Sequence, residues 1–190
     1  MLRAWRTLRA QLPGSLLAAF ALGAGFLAFV AWDQSHWWRV KRDYAFGWLV
    51  PLFVLFVVRD RWPAILAQSA RCAAAGSPRA CGAWLWCLRA LLGCSLLGGA
   101  LLFLLGAFYR AGAGTSQPGT LAITLGATAI LLPLIVINAP DSPAVTASGF
   151  RSDARLRLAA LFVFPVLVWL ISAPMVSVVE SQLNLALLRR

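Results

Sequence analysis

The chain has 190 residues, 61% of them hydrophobic and only 12% charged, with a mean hydropathy of +0.80; an average soluble domain carries about 25% charged residues. A soluble fold of this size leaves roughly 30% of its unfolded surface in water, and 17 basic and 6 acidic side chains cannot cover it, so composition excludes an ordinary soluble domain and points to lipid as the solvent. The net charge of +11 would suit nucleic acid, but the basic residues sit in the gaps between apolar runs, where they meet lipid headgroups and set orientation. The lipid bilayer is the expected partner, and nucleic acid is not.

Residues 1–11 carry Arg3, Arg6 and Arg9, and an apolar run over 12–32 follows. At about 1.5 Å per residue it is long enough to cross a hydrocarbon core of roughly 30 Å. Basic residues before an apolar core also describe a signal peptide. This core is long, however, and ends in Val30-Ala31-Trp32-Asp33 without a small-x-small cleavage pattern, which predicts a retained span. The second run, 44–58, contains Gly47 and Pro51 and reaches only about 22 Å as a helix. Trp48, Arg59 and Arg61 must then adjust at the interface, or the helix lies partly buried among its neighbours.

The Ala-rich segment 59–83, with Arg71, Gly76, Pro78 and Arg79, reads as a loop with room for a short surface helix. The third run, 84–109, is interrupted only by Arg89, near enough to the end to snorkel. Its Gly93, Gly98, Gly99 and Ala100 permit close helix approach. A Gly/Ser/Thr turn over 110–118 leads to the fourth run, 119–138, in which Pro133 predicts a kink. After a loop over 139–154 the fifth run, 156–179, contains Pro165 and Pro174; prolines are tolerated in spans when neighbours satisfy the carbonyls they free. The tail 180–190 reads as interfacial. The expected fold is all-α: a single membrane domain, a polytopic transmembrane helical bundle of about five spans.

Arginine and lysine in alternate connections set the orientation. One side collects Arg3, Arg6, Arg9, then Arg59, Arg61, Arg71, Arg79 and Arg89, then Arg151, Arg155 and Arg157; the other has Arg39, Lys41, Arg42, Arg110, Arg189 and Arg190. The bias predicts a cytoplasmic N-terminus and an external C-terminus in a cell (inner) membrane. Trp5, Trp32, Trp37, Trp38, Trp62 and Trp84 all fall near predicted span ends, as an aromatic belt requires.

No phosphate loop, dinucleotide fingerprint or His-Glu zinc helix is present in the sequence, and no cofactor is expected. All acidic residues fall in predicted connections or at span ends, which weakens a transporter reading, since transporters commonly bury an ionisable group at membrane depth. Cys72, Cys81, Cys87 and Cys94 lack paired zinc spacing. Cys87 and Cys94, seven apart, can share one side of a helix as small packing residues. A disulfide between Cys72 and Cys81 is the alternative, but the topology puts both in the cytoplasm, where thiols stay reduced. Cys94-Ser95 follows Gly93, yet a catalytic thiolate needs a neighbour that lowers its pKa and an exposed position. The one histidine, His36, lies in the first outer connection and reads as an interfacial polar residue; Trp32-Asp33 with Trp37-Trp38 would alternatively grip a headgroup or a peptide through aromatic contact.

The stretch Tyr44-Ala45-Phe46-Gly47-Trp48-Leu49-Val50-Pro51, followed by an apolar run and Arg59-Asp60-Arg61-Trp62, resembles the exosortase/archaeosortase family of polytopic membrane proteins. That family often shows a tyrosine, a His-Gly pair two residues on, an apolar-Val-Pro step and a basic stop; Phe46 stands here where histidine is common, so that histidine's role is not carried over. A second stretch, from Arg157-Leu158 through Phe164-Pro165 to Ala173-Pro174 and Glu180, is similar to the family's Phe-Pro, small-Pro and acidic segment in the same order. Tyr44, Gly47, Pro51, Pro165, Pro174 and Glu180 are thus the motif residues, structural rather than catalytic. The resemblance implies a membrane cysteine transpeptidase or protease that recognises a C-terminal sorting signal on exported proteins.

In that family the catalytic cysteine, with a following Ser-Gly, and the arginine and histidine come after the segment that Glu180 begins. No cysteine or histidine stands between Glu180 and Arg190, and Cys94-Ser95 comes too early to replace the catalytic cysteine. Acyl transfer needs nucleophile, base and oxyanion stabiliser together, so the polypeptide alone is expected to be inactive: a truncated product, one half of a split enzyme whose partner is a separate catalytic half, or a degenerate scaffold. A non-catalytic membrane assembly or binding protein is the second expectation, with the Gly-rich third span mediating contacts, and a small transporter the third.

Overall fold

The computed structural model describes residues 12–74, 82–140 and 153–174, and among them every regular element is helical. Helix α1 spans Gly14–Val40, a 3-10 helix Arg42–Trp48, α2 Leu49–Asp60, α3 Trp62–Ala74, α4 Gly82–Ala113, α5 Gln117–Asn138 and α6 Ala154–Ile171. Helices α1, α4, α5 and α6 are long and apolar enough to cross a bilayer. The chain is an all-α, multi-pass membrane bundle.

Side-chain contacts give the directions. Phe20 meets Phe162 towards one end, and Ser172 donates to Gln34 towards the other, so α1 and α6 run parallel. Ser15 donates to the Asn138 carbonyl and Trp37 to Thr120, which makes α5 antiparallel to α1. Helix α4 runs antiparallel to α5. Phe53 against Phe164, Arg61 bonded to the Leu161 carbonyl and Gln68 bonded to the Ala154 carbonyl carry α2 and then α3 back along α6. With 12 and 13 residues neither α2 nor α3 spans alone; joined at Arg61 they make one broken pass. The expected five passes are therefore four whole helices and one broken one.

Local sequence explains the ends. Ser116 caps α5 by accepting from Gly119 N, with Pro118 in the first turn where its missing N–H costs nothing. Asp153 caps α6 by accepting from Arg155 N. Gly114, at φ +76°, takes the left-handed conformation that turns α4 into α5.

The glycines explain the tightest packing. A Cβ at Gly106 would lie 2.8 Å from the Gly119 carbonyl oxygen, one at Gly99 2.9 Å from that of Gly126, and one at Gly126 would strike the Phe103 backbone. The α4 and α5 backbones touch through these positions, as small residues allow in membranes. Of the expected trio only Gly99 serves; Gly93 and Gly98 face open space.

Several expectations are corrected. The first span does not end at Trp32: no breaker intervenes before Lys41, and α1 continues to Val40, so Asp33 and His36 are helical rather than in a connection. The second run is not one short span but a 3-10 helix followed by α2, with Pro51 in the first turn of α2. Within 59–83, the short helix allowed for spans Trp62–Ala74 and is not a surface helix: Ile65, Gln68, Ser69 and Cys72 recur on one face and bury it. The turn expected over 110–118 shrinks to 114–116, and Arg110 belongs to α4. Cys87 and Cys94 are exposed rather than packed, since α4 presses its glycine side, not its cysteine side, on α5. Trp38 is a core residue, not part of a belt. Helix α6 begins at Ala154 and ends at Ile171. Residues 175–179 of the predicted fifth span, Glu180, Arg3, Arg6, Arg9, Trp5 and Cys81 lie outside the described residues.

Candidate functional site

Over its last turns α1 changes from apolar to Asp33-Gln34-Ser35-His36-Trp37-Trp38. In lipid such groups must find partners inside the protein, and most turn inward. Asp33, 1% exposed, forms an ion pair with Arg110 of α4. The Arg110 guanidinium lies 4.1 Å from the Trp32 ring centroid, so the charge is held between a carboxylate and an aromatic face. Gln34 is fully buried: its amide nitrogen donates to Thr124 Oγ1 (2.9 Å) and the Trp169 carbonyl (3.3 Å), while its oxygen accepts from Ser172 Oγ (2.7 Å). Thr124 donates onward to the Thr120 carbonyl (2.8 Å). Trp37 Nε1 donates to Thr120 Oγ1 (3.0 Å) and Trp38 Nε1 to the Ser172 carbonyl (3.3 Å).

One stretch of α1 thereby ties α4, α5 and α6 together at one end of the bundle. The network is not saturated. Among the described residues Asp33 has no polar contact beyond Arg110, neither of its oxygens accepts a hydrogen bond of full geometry, and the buried Trp169 Nε1 has no acceptor. A buried ion pair offsets the cost of desolvating two charges only when geometry is good, so this pair by itself is weak evidence for stability. Asp33, expected in a connection, is instead buried in α1, near the end of the bundle where Arg110 lies.

The motif residues divide between two places. Gly47 is buried and has no room for a side chain, because the Trp38 indole occupies the position its Cβ would take. Trp38 also meets Trp48 at 5.3 Å and bonds to the Ser172 carbonyl, so one indole links Gly47 to the chain two residues before the buried Pro174. Tyr44 is half-buried with Lys41 Nζ 5.9 Å from its ring, and Pro51 is half-buried in α2. Pro165 is not in this cluster; it lies deeper in α6, where Arg61 bonds to the Leu161 carbonyl (2.7 Å). Arg61, assigned from sequence to a polar connection, is half-buried and turned onto α6. Glu180 lies outside the described residues.

Cys94 lies roughly 24 Å along α4 from the Arg110 level, and His36 packs edge-on to Trp37 (5.4 Å) near the Asp33–Arg110 end. The described cysteines on α4 and the histidine do not form a nucleophile and base. At the other end, Asp153 is 2% exposed and gripped by Arg155 through Nε (3.1 Å) and Nη2 (2.9 Å). Burial pushes its carboxyl up, but the Arg155 hydrogen bonds and charge outweigh that and hold it below the usual carboxylate value. Trp84 adds to the lowering, although its N–H completes no hydrogen bond of full geometry.

Sequence reasoning missed Gln34, Arg110, Thr120, Thr124 and Ser172. A signal was present: Val30, Gln34 and Trp38 recur every four residues, all three are buried, and that spacing continues the helix past Trp32. No known protein family, curated protein or solved structure matches the chain.

Proposed function

We propose that the chain is an exosortase-like protein of the cell (inner) membrane that binds an exported protein through its C-terminal sorting signal. The N-terminus is cytoplasmic in this reading and the C-terminus external, following the arginine bias. One observation carries the proposal: the two stretches that resemble the family, far apart in sequence, sit side by side. Gly47 lies under Trp38, Trp38 is bonded to Ser172 beside Ala173-Pro174, and Phe53 meets Phe164 at 6.0 Å.

A photo-crosslinking residue at exposed position Trp48, and another at exposed Trp86 towards the opposite end, test it. A reporter with a C-terminal transmembrane segment and basic tail is expected to crosslink at 48 and not at 86, and to keep its tail when the gene is deleted. Absence of an adduct at 48, with processing unchanged on deletion, would reject the reading.

A non-catalytic membrane assembly protein is the second reading. It is favoured by α4, whose most apolar stretch is only 11% buried and whose Gly93, Gly98 and Gly112 leave open space for a further helix. A partner that co-purifies from detergent and lacks any Cys/His segment would support it over the first.

A further inference from the structure

Two spanning helices carry an interior proline, Pro133 in α5 and Pro165 in α6. Proline has no N–H, so the carbonyl four residues earlier loses its helical donor, and lipid offers no replacement. The carbonyls left over are those of Ala129 and Leu161, and each is answered by a side chain from a neighbouring pass. Ser95 Oγ donates to the Ala129 carbonyl at 2.8 Å, and Arg61 Nη1 donates to the Leu161 carbonyl at 2.7 Å.

The two answers differ in what else holds the helices. Ser95 comes from α4, whose glycines already press on the α5 backbone. Arg61 comes from the single residue between α2 and α3, through which the helical hydrogen bonds still pass: its N–H reaches the Val57 carbonyl (3.0 Å) and its carbonyl receives Ile65 N (2.9 Å). Apart from the adjoining 3-10 helix, α2 and α3 make their main contacts with α6. Among the described residues no carboxylate pairs with Arg61; its guanidinium has the Leu161 carbonyl and the Phe164 ring, 5.8 Å from the centroid. Half-buried against α6, Arg61 gives up part of its hydration, so a bond to one backbone carbonyl calls for a reason.

We propose that Arg61 is a latch: it supplies the donor that Pro165 removes, and in doing so fastens the broken α2–α3 pass to α6, so that loss of this bond releases the pass. The latch does not depend on the exosortase-like reading.

Cys72, 2% exposed on α3 and packed in the same apolar cluster as Ile65 and Leu158, reports release. In the full chain, purified in detergent with Cys81, Cys87 and Cys94 replaced by serine, the rate of maleimide labelling at Cys72 is measured. Arg61→Ala is expected to label about tenfold faster or more. Pro165→Ala restores an N–H to the Leu161 carbonyl, so Arg61→Ala combined with Pro165→Ala is expected to label at the rate of Pro165→Ala alone, within about twofold. Unchanged labelling in Arg61→Ala, or a further acceleration when Arg61→Ala is added to Pro165→Ala, would overturn the latch. Should Arg61→Ala not accumulate as folded protein, recovery of a monodisperse peak in the double variant carries the test, and no recovery overturns it.

Discussion

Helices α4 and α5 are almost equally apolar, with hydropathies of 2.2 and 2.4 over their most apolar stretches, yet 11% of that stretch is buried in α4 and 61% in α5. Hydropathy says that both belong in lipid; it does not say which one the rest of the protein surrounds. The difference lies in side-chain size and in small hydroxyls. Helix α5 buries Gly119, Thr120, Thr124, Gly126, Ala127 and Thr128, which admit neighbouring backbones and give hydrogen-bond partners to α1, whereas α4 presents Leu91, Leu97, Leu101, Leu105 and Phe108 outward. Lipid tails solvate leucine as well as another helix does, so close approach and polar pairing decide which helix becomes central.

The contrast breaks most severely at the glycine contact. Gly126→Leu drives a side chain into the backbones of Phe103 and Gly99, with no flexible neighbour to yield; a loss of about 3 kcal/mol is expected, seen as a collapse of the detergent melting temperature. Gly98→Leu on α4, facing open space, should stay within about 0.5 kcal/mol of the parent. Similar melting temperatures for the two variants would show that the glycine contact does not make α5 central.

Next in size is the ion pair by which α4 is held to α1. Asp33→Leu leaves Arg110 beside an apolar surface and should cost on the order of 3 kcal/mol; adding Arg110→Leu should recover most of it, because two apolar side chains replace a buried pair at little cost. A double variant as damaged as the single one would mean that the pair is not what fixes α4 at that end.

The smallest effect concerns Asp153, towards which Trp84 of α4 turns. Its carboxyl is held below the usual value, so the stability it contributes is present at neutral pH and down to about pH 4, and is lost as pH falls through the lowered value. Melting temperature should therefore fall more steeply below about pH 4 in the parent than in Asp153→Asn. Parallel curves would show that the Asp153 carboxylate does not help hold the start of α6.

Apolar runs were legible in the sequence because a span must be long and greasy whatever its neighbours do, and the prolines at 133 and 165 were legible as positions that a neighbour must serve. The identity of that neighbour was not: Ser95 and Arg61 lie 34 and 100 residues from the carbonyls they serve. The candidate site was half visible. Trp37-Trp38 and Asp33 stood out as residue types, but ending the span at Trp32 placed them outside the bundle. The polar character of 33–38 read as a connection because its partners, Thr120, Thr124, Ser172 and Arg110, sit on three other helices.

By itself the sequence determined the solvent, the helical class and the Gly/Ser/Thr turn between the third and fourth runs, all of which depend on a residue and its near neighbours. Only the tertiary structure decided that α5 is surrounded and α4 is not, that Asp33 and Gln34 face inward, and that Arg61 meets the carbonyl freed by Pro165. Those outcomes depend on which surfaces touch, and in a medium that solvates every apolar side chain equally, contact is selected by backbone proximity and by the matching of polar groups across helices.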